Sequence, residues 1–168
     1  MLFFQGGGWC YDDIYCAARA NSTLGSSKLL APNETSYYGT GGMYPENSSL
    51  AGANHVRLAY TDGASFSGMR DEPVIVGGQN VHYRGFANLQ AILHDLEQNH
   101  SLLSAKQILV SGGSAGGLAA YLHAPYIAKR YGGTSQVGAA PCSGAFLDHP
   151  NVMGDPIYRG LMQNVVAI

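Results

Sequence analysis

The spacing of apolar residues predicts two long helices. Over residues 85–99 apolar side chains recur every three to four positions with polar side chains between them, which indicates an amphipathic helix. The same spacing returns over residues 115–131. Pro125 interrupts the second pattern and is expected to distort that helix.

Short apolar or alternating runs predict strands between these helices. Such runs occupy residues 2–4, 55–60, 107–111 and the stretch that begins at 136, and a further apolar run at 73–76 stops at two glycines. Residues 20–52 are rich in Asn, Ser, Thr, Pro and Gly without periodicity, which predicts a long loop. Alternating strands and helices are typical of an α/β protein with a mostly parallel sheet and flanking helices. No repeat or linker divides the chain, so we expect one domain over residues 1–168.

Composition excludes several classes of partner. Only 12% of the residues are charged and the net charge is −2, so no basic stripe for nucleic acid is present. No run approaches the roughly 20 apolar residues that span a bilayer. The cysteines and histidines lack zinc-site spacing, and we predict neither a metal nor a cofactor. The opening "MLFF" is too short for a signal peptide and indicates a start in mid-structure.

Cysteines and sequons favour a secreted protein. Cys10 and Cys16 stand at a spacing that could close a short disulfide, whereas Cys142 is either buried and inert or paired outside the chain. Triplets of the N-x-[ST] type predict glycosylation, although polar loops also produce them by accident; the asparagines are Asn21, Asn33, Asn47 and Asn99.

The stretch "SGGSAGG" carries the strongest chemical signal. It lacks the lysine of a phosphate-binding P-loop, and it does not fit the G-x-G-x-x-G of dinucleotide-binding loops. It does fit G-x-S-x-G, with Ser114 between Gly112 and Gly116, after a predicted strand and before a predicted helix. That context is typical of a nucleophile elbow, in which glycines let strand and helix pass closely around an exposed serine. The alternative is a plain turn.

A second glycine cluster follows the first strand, in "FFQGGGWC". Hydrolases with a nucleophile elbow take oxyanion donors from such a loop and from the residue after the nucleophile. The candidates are the backbone amides of Gly8, Trp9 and Ala115. The alternative is a flexible turn beside a core tryptophan.

Several motifs in order make the chain resemble a known family. The segments "FFQGGGWCYDDIYC", "RLAYTDGASFSG", "HYRGFANLQAILHDL", "ILVSGGSAGGLAAYLH" and "PCSGAFLD" are similar to those of pectin acetylesterases, a family that includes the animal Notum carboxylesterases. The resemblance covers about residues 3–148 and implies an α/β-hydrolase fold and a secreted, glycosylated esterase. It also implies a nucleophile at Ser114, oxyanion donors at Gly8, Trp9 and Ala115, and a disulfide in the Cys10–Cys16 loop.

The resemblance also leaves some roles open. Asp62 and Ser65 could line the pocket, as the corresponding turn of the family does, although a turn with Asp and Gly needs no function to explain it. The chain departs from the plant pattern at Gln5, Thr61, Gly113 and Pro141-Cys142.

The triad partners are the main departure. In the family the triad Asp and His lie well downstream of the serine, so we expect a partial α/β-hydrolase domain, incomplete at both ends. Asp148 and His149 are adjacent and would point apart, and His123 is expected to be a packed or surface histidine and not a base.

Three functions follow from these patterns. The first is a serine esterase that removes O-acetyl groups from pectin or a related cell-wall polysaccharide. The second is a Notum-like removal of a fatty acyl group from a protein. The third is a non-catalytic protein that binds carbohydrate or another partner.

Overall fold

A four-stranded parallel sheet forms the centre of the protein. The computed structural model describes residues 1–30 and 49–167. The strands occur in the spatial order β2-β1-β5-β6, and their bounds are β1 Leu2–Phe4, β2 Val56–Leu58, β5 Gln107–Gly113 and β6 Gln136–Cys142. All three pairings are parallel. Parallel neighbours need long crossover connections, and a helix over Ala115–Tyr131 supplies the connection between β5 and β6.

A separate antiparallel hairpin follows β2 and precedes β5 along the chain. Its strands are β3 Val74–Val76 and β4 Gln79–Val81. Gly77 and Gly78 form the two-residue turn, and both have positive φ angles, of 56° and 81°. Such a turn matches the twist of the two strands and favours glycine at both positions.

The two helices expected from periodicity are present with the expected bounds. The helices are α1 Asp13–Arg19, α2 Gly85–Asn99, α3 Ala115–Tyr131 and α4 Ile157–Ala167, with short 3₁₀ turns at Ser27–Leu29 and Leu102–Ser104. Helix α3 continues through Pro125. Helices α1 and α4 were not predicted. Helix α1 has only seven residues, too few for a clear period, and it begins where the Asp12 carboxylate accepts a hydrogen bond from the Tyr15 amide.

The main core lies between the sheet and helices α2 and α3. Strands contribute Phe4, Leu58 and Val110, and α2 contributes Leu89 and Leu93, all at most 1% exposed. The side of α3 that faces the sheet consists mainly of glycine and alanine, and these small side chains allow the helix to approach the strands. The sheet and its flanking helices confirm the predicted α/β class.

Helices α2 and α3 are also joined at their surface. The Arg130 guanidinium donates to both Glu97 carboxylate oxygens, at 2.6 and 2.8 Å, and the Tyr131 hydroxyl donates to one of them at 2.6 Å. These donors, chiefly Arg130, hold the pKa of the Glu97 carboxyl below its usual value.

The described residues include no helix long and apolar enough to cross a membrane.

Candidate active site

Ser114 occupies the junction between β5 and α3. It is exposed, and its backbone has φ 56° and ψ −122°, a conformation that a serine adopts only under strain. Two backbone hydrogen bonds hold it there: the Ser114 amide donates to the Cys142 carbonyl at 3.0 Å, and the Leu118 amide donates to the Ser114 carbonyl at 3.0 Å. The chain therefore presents this hydroxyl at the carboxyl end of the sheet.

The glycines around Ser114 are required by close backbone contacts. A Cβ on Gly112 would lie 2.2 Å from the Gly116 carbonyl oxygen, and one on Gly116 would lie 2.0 Å from the Phe4 carbonyl oxygen. Both distances are far below van der Waals contact. The G-x-S-x-G glycines thus allow β1, β5 and α3 to meet at one point, as the elbow interpretation requires.

The first glycine cluster packs directly against this elbow. A Cβ on Gly6 would lie 2.1 Å from the Gly113 carbonyl oxygen and 3.3 Å from the Ser114 Cβ. Gly7 and Gly8 have φ angles of 147° and 66°, which favour glycine. Gly6 was not among the predicted site residues, although it opens the same cluster. Gly6 differs from the other glycines of the loop by its contact with the elbow, and no sequence pattern shows that contact.

Hydrogen bonds fix the second half of the glycine loop. The Tyr60 hydroxyl donates to the Gly8 carbonyl at 2.8 Å, and the Trp9 indole donates to the Ser65 hydroxyl at 2.7 Å. The Gly8 carbonyl and the Trp9 amide belong to one peptide unit, so the first bond orients a predicted oxyanion donor. The assignment of Gly8, Trp9 and Ala115 as donors stays a prediction.

Asp62 and Ser65 both lie in a buried turn. Asp62 is 5% exposed, and its carboxylate accepts hydrogen bonds from three amides of the same turn, those of Ala64, Phe66 and Gly68. Burial raises the pKa of the Asp62 carboxyl, and the three amides oppose that shift. Ser65 is 1% exposed, and Asp62 borders a cleft of about 910 Å³ whose described lining includes neither Ser65 nor Ser114. Their assignment to a substrate pocket stays a prediction.

His123 supports this turn from α3. Its Nε2 lies 3.0 Å from the Ser65 carbonyl oxygen, so Nε2 carries the proton, and its ring stacks on Phe86. His123 is 5% exposed, and burial lowers the pKa of its imidazole. It is therefore a packed histidine, as expected.

Asp148, His149 and two further histidines, His94 and His100, lie in surface contacts. The Asp148 carboxylate binds the Arg159 guanidinium at 2.6 Å, and His149 Nδ1 lies 2.8 Å from the Pro150 carbonyl oxygen. His94 and His100 face Glu97 and Asp95 on α2, at 4.0 and 3.7 Å. Within residues 1–30 and 49–167 no hydrogen bond joins the Ser114 hydroxyl to a histidine.

Three aromatic side chains form a cluster at the glycine loop. The Trp9 ring meets Phe146 edge to face at 4.8 Å, and Phe146 stacks on Tyr158 at 5.7 Å. Tyr158 belongs to α4, which was not predicted, so sequence reasoning missed this member. The cluster places apolar surface beside Trp9.

Cys10 and Cys16 form a disulfide directly after the glycine loop. Both are buried, at 2% and 3% exposure, in a small cluster with Val81 and Tyr83. The predicted disulfide is therefore confirmed. Cys142 is free and exposed, so the alternative of a buried third cysteine is wrong.

Loss of this disulfide is expected to destabilise the protein moderately. A Cys10→Ser, Cys16→Ser double variant should lose about 2–3 kcal/mol of unfolding free energy, because the cross-link closes a short loop in the unfolded chain. Urea unfolding under non-reducing conditions measures the change. Cys142→Ser serves as the control and should leave the midpoint unchanged. Equal midpoints for the double variant and the control would contradict the prediction.

The predicted glycosylation sites are only partly within the described residues. Asn21 is exposed and its amide donates to the Gln79 side chain at 3.2 Å, and Asn99 is exposed and donates to Asp95 at 2.8 Å. Asn33 and Asn47 lie outside the described residues. Glycosylation of all four stays a prediction.

A parallel sheet with a serine elbow between strand and helix places the protein in the α/β-hydrolase class. A model of the pectinacetylesterase family matches residues 1–168, the whole chain. The chain belongs to the pectinacetylesterase family.

Curated relatives agree with this assignment. The chain is 35% identical to pectin acetylesterase 5 of Arabidopsis thaliana over 169 aligned residues, which cover 100% of this chain and 39% of the relative. It is 30% identical to pectin acetylesterase 4 of the same plant, with 100% and 41% coverage, and 29% identical to pectin acetylesterase 11, with 99% and 42% coverage. The chain thus spans about two fifths of the length of these relatives.

Proposed function

We propose that the protein is a serine esterase that removes O-acetyl groups from pectin or a related cell-wall polysaccharide. The observation that carries the proposal is the strained, exposed Ser114 packed against the Gly6–Trp9 loop. A plain turn would need neither an exposed hydroxyl in a strained conformation nor a second glycine loop against it. The names of the curated relatives support the acetyl ester of pectin as the substrate class.

In the proposed reaction Ser114 Oγ attacks the acetyl carbonyl carbon while a general base takes its proton. The carbonyl oxygen becomes negative in the tetrahedral intermediate, and the amides of Gly8, Trp9 and Ala115 donate hydrogen bonds to it. The intermediate collapses, the C–O bond to the sugar breaks, and the sugar hydroxyl leaves with a proton. Water then hydrolyses the acetyl-serine and releases acetate.

Local features suit each of these steps. The N-terminus of α3 starts at Ala115, so its free amides and positive dipole end lie beside the developing negative charge. Gly7 and Gly8 have no side chains to block approach of a carbonyl oxygen to the backbone. The Cys10–Cys16 disulfide supports a secreted, oxidised location, in which a cell-wall substrate would be met.

Substrate comparison tests the proposal. Purified full-length protein is incubated with acetylated pectin and with a fatty-acylated peptide, and released acetate and fatty acid are measured. Acetate release that disappears in Ser114→Ala is expected. Release of fatty acid alone would mean that the substrate is an acylated protein and not acetylated pectin. Binding to pectin without any hydrolysis would support the non-catalytic alternative.

A further inference from the structure

Ser65 lies between the two segments that carry the proposed oxyanion donors. Its hydroxyl is 2.7 Å from the Trp9 Nε1 and 2.8 Å from the Ala115 carbonyl oxygen. An indole nitrogen only donates and a carbonyl oxygen only accepts, so both directions are determined. The Ser65 oxygen accepts from Trp9, and its single proton goes to Ala115.

A second connection runs through the backbone of Ser65. The Ser65 amide donates to the Tyr60 hydroxyl at 3.0 Å, and that hydroxyl donates to the Gly8 carbonyl at 2.8 Å. The Gly8 carbonyl and the Trp9 amide share a planar trans peptide and point in opposite directions. Holding the carbonyl therefore aims the Trp9 amide, a proposed oxyanion donor.

Ser65 itself is held rigidly. It is 1% exposed, has a φ of 51°, and its carbonyl oxygen accepts a hydrogen bond from His123 Nε2. Tyr60 is equally fixed, because its ring stacks on Phe66 at 5.4 Å and lies under the Arg19 guanidinium at 4.9 Å. Every polar group of Ser65 thus has a partner. The hydroxyl and the amide connect to the segments with the proposed oxyanion donors, and the carbonyl connects to His123.

We propose that Ser65 is a positioning residue that sets the distance between the two halves of the oxyanion hole. Gly7 and Gly8 give their loop backbone freedom, so an external contact must fix where the Gly8–Trp9 peptide lies relative to Ala115. Ser65 supplies that contact from a separate turn. Because its side chain is only 1% exposed, this role replaces the predicted place of Ser65 in the substrate pocket, and Ser65 acts through Trp9, Tyr60 and Ala115. This inference rests on the proposed esterase function.

The test compares Ser65→Ala with Ser67→Ala in the full-length protein. Ser67 lies in the same turn, and within the described part of the chain its hydroxyl donates only to the Ala64 carbonyl, at 2.6 Å, so its loss leaves the oxyanion segments untouched. The maximal rate with an aryl acetate is divided by the concentration of active sites, titrated with a fluorophosphonate, to give kcat per active site. We expect kcat per active site to fall about 10- to 100-fold in Ser65→Ala, with KM changed less than about threefold. Ser67→Ala should stay within about twofold of the wild type.

The readout separates positioning from stability. A purely structural role for Ser65 would reduce the number of titrated sites or the Tm, but not kcat per site, and that result would overturn the proposal. If Ser65→Ala does not fold, Tyr60→Phe breaks the link to Gly8 without creating a cavity, and an unchanged kcat there would overturn it equally. Activity that survives in Ser114→Ala would instead refute the proposed function.

Discussion

Replacement of Ser114 by alanine is expected to lower kcat for acetyl ester hydrolysis by about a million-fold, the typical loss when a serine hydrolase loses its nucleophile. The proposed oxyanion amides and the binding surface remain, so a residual rate about 10³–10⁴-fold above that in water is expected. The folded state should be nearly unaffected, because alanine meets the same backbone strain as serine and the side chain is exposed. Acetate release and thermal unfolding of the same preparation measure both effects.

A matched control for this variant is Ser101→Ala. Ser101 is also an exposed serine with a φ of 57°, but it lies after α2, away from the elbow. It should keep full activity and the wild-type Tm. A Ser114→Ala protein that releases acetate as fast as Ser101→Ala would refute Ser114 as the nucleophile.

Substitution of Gly6 by alanine is expected to lower kcat by at least about 100-fold. The new methyl group would overlap the Gly113 carbonyl oxygen and press on the Ser114 Cβ, so the glycine loop must move away from the nucleophile. A displacement of about 1 Å costs roughly this factor when donors are aimed at a transition state. Overpacking at this half-buried contact should also cost about 1–3 kcal/mol of stability.

The control for Gly6 is Gly52→Ala. A Cβ at Gly52 meets no atom of the described residues within 4 Å, and neither glycine has a positive φ, so the two substitutions differ in crowding against the elbow and not in backbone strain. Steady-state kinetics on acetylated pectin should show a loss for Gly6→Ala and wild-type values for Gly52→Ala. Equal kcat for the two variants would mean that the contact between loop and elbow has no role in catalysis.

The long elements and the elbow were predictable because their signals are local. A helix over 85–99 follows from apolar spacing alone, and a strand followed by G-x-S-x-G and helical spacing identifies the turn at Ser114. Helix α1 was missed because seven residues give no period, and α4 lies beyond the last motif that was interpreted. Residues 20–52 were expected to form a loop; the structure places a 3₁₀ turn at Ser27–Leu29, and residues 31–48 lie outside the described part.

The α/β class and the strand–turn–helix at Ser114 could be predicted from the sequence, since both depend on residues that are neighbours along the chain. The spacing of Cys10 and Cys16 only allowed a disulfide, and the resemblance to pectin acetylesterases implied it. Three contacts became visible in the folded chain alone: Gly6 packs against the elbow, Tyr158 lies against Trp9, and Ser65 bridges Trp9 and Ala115. The Ser65 contacts join residues separated by 56 and 50 positions, so no local pattern encodes them. They exist because parallel strands bring the loops at their carboxyl ends to one edge of the sheet, where a buried hydroxyl must find partners.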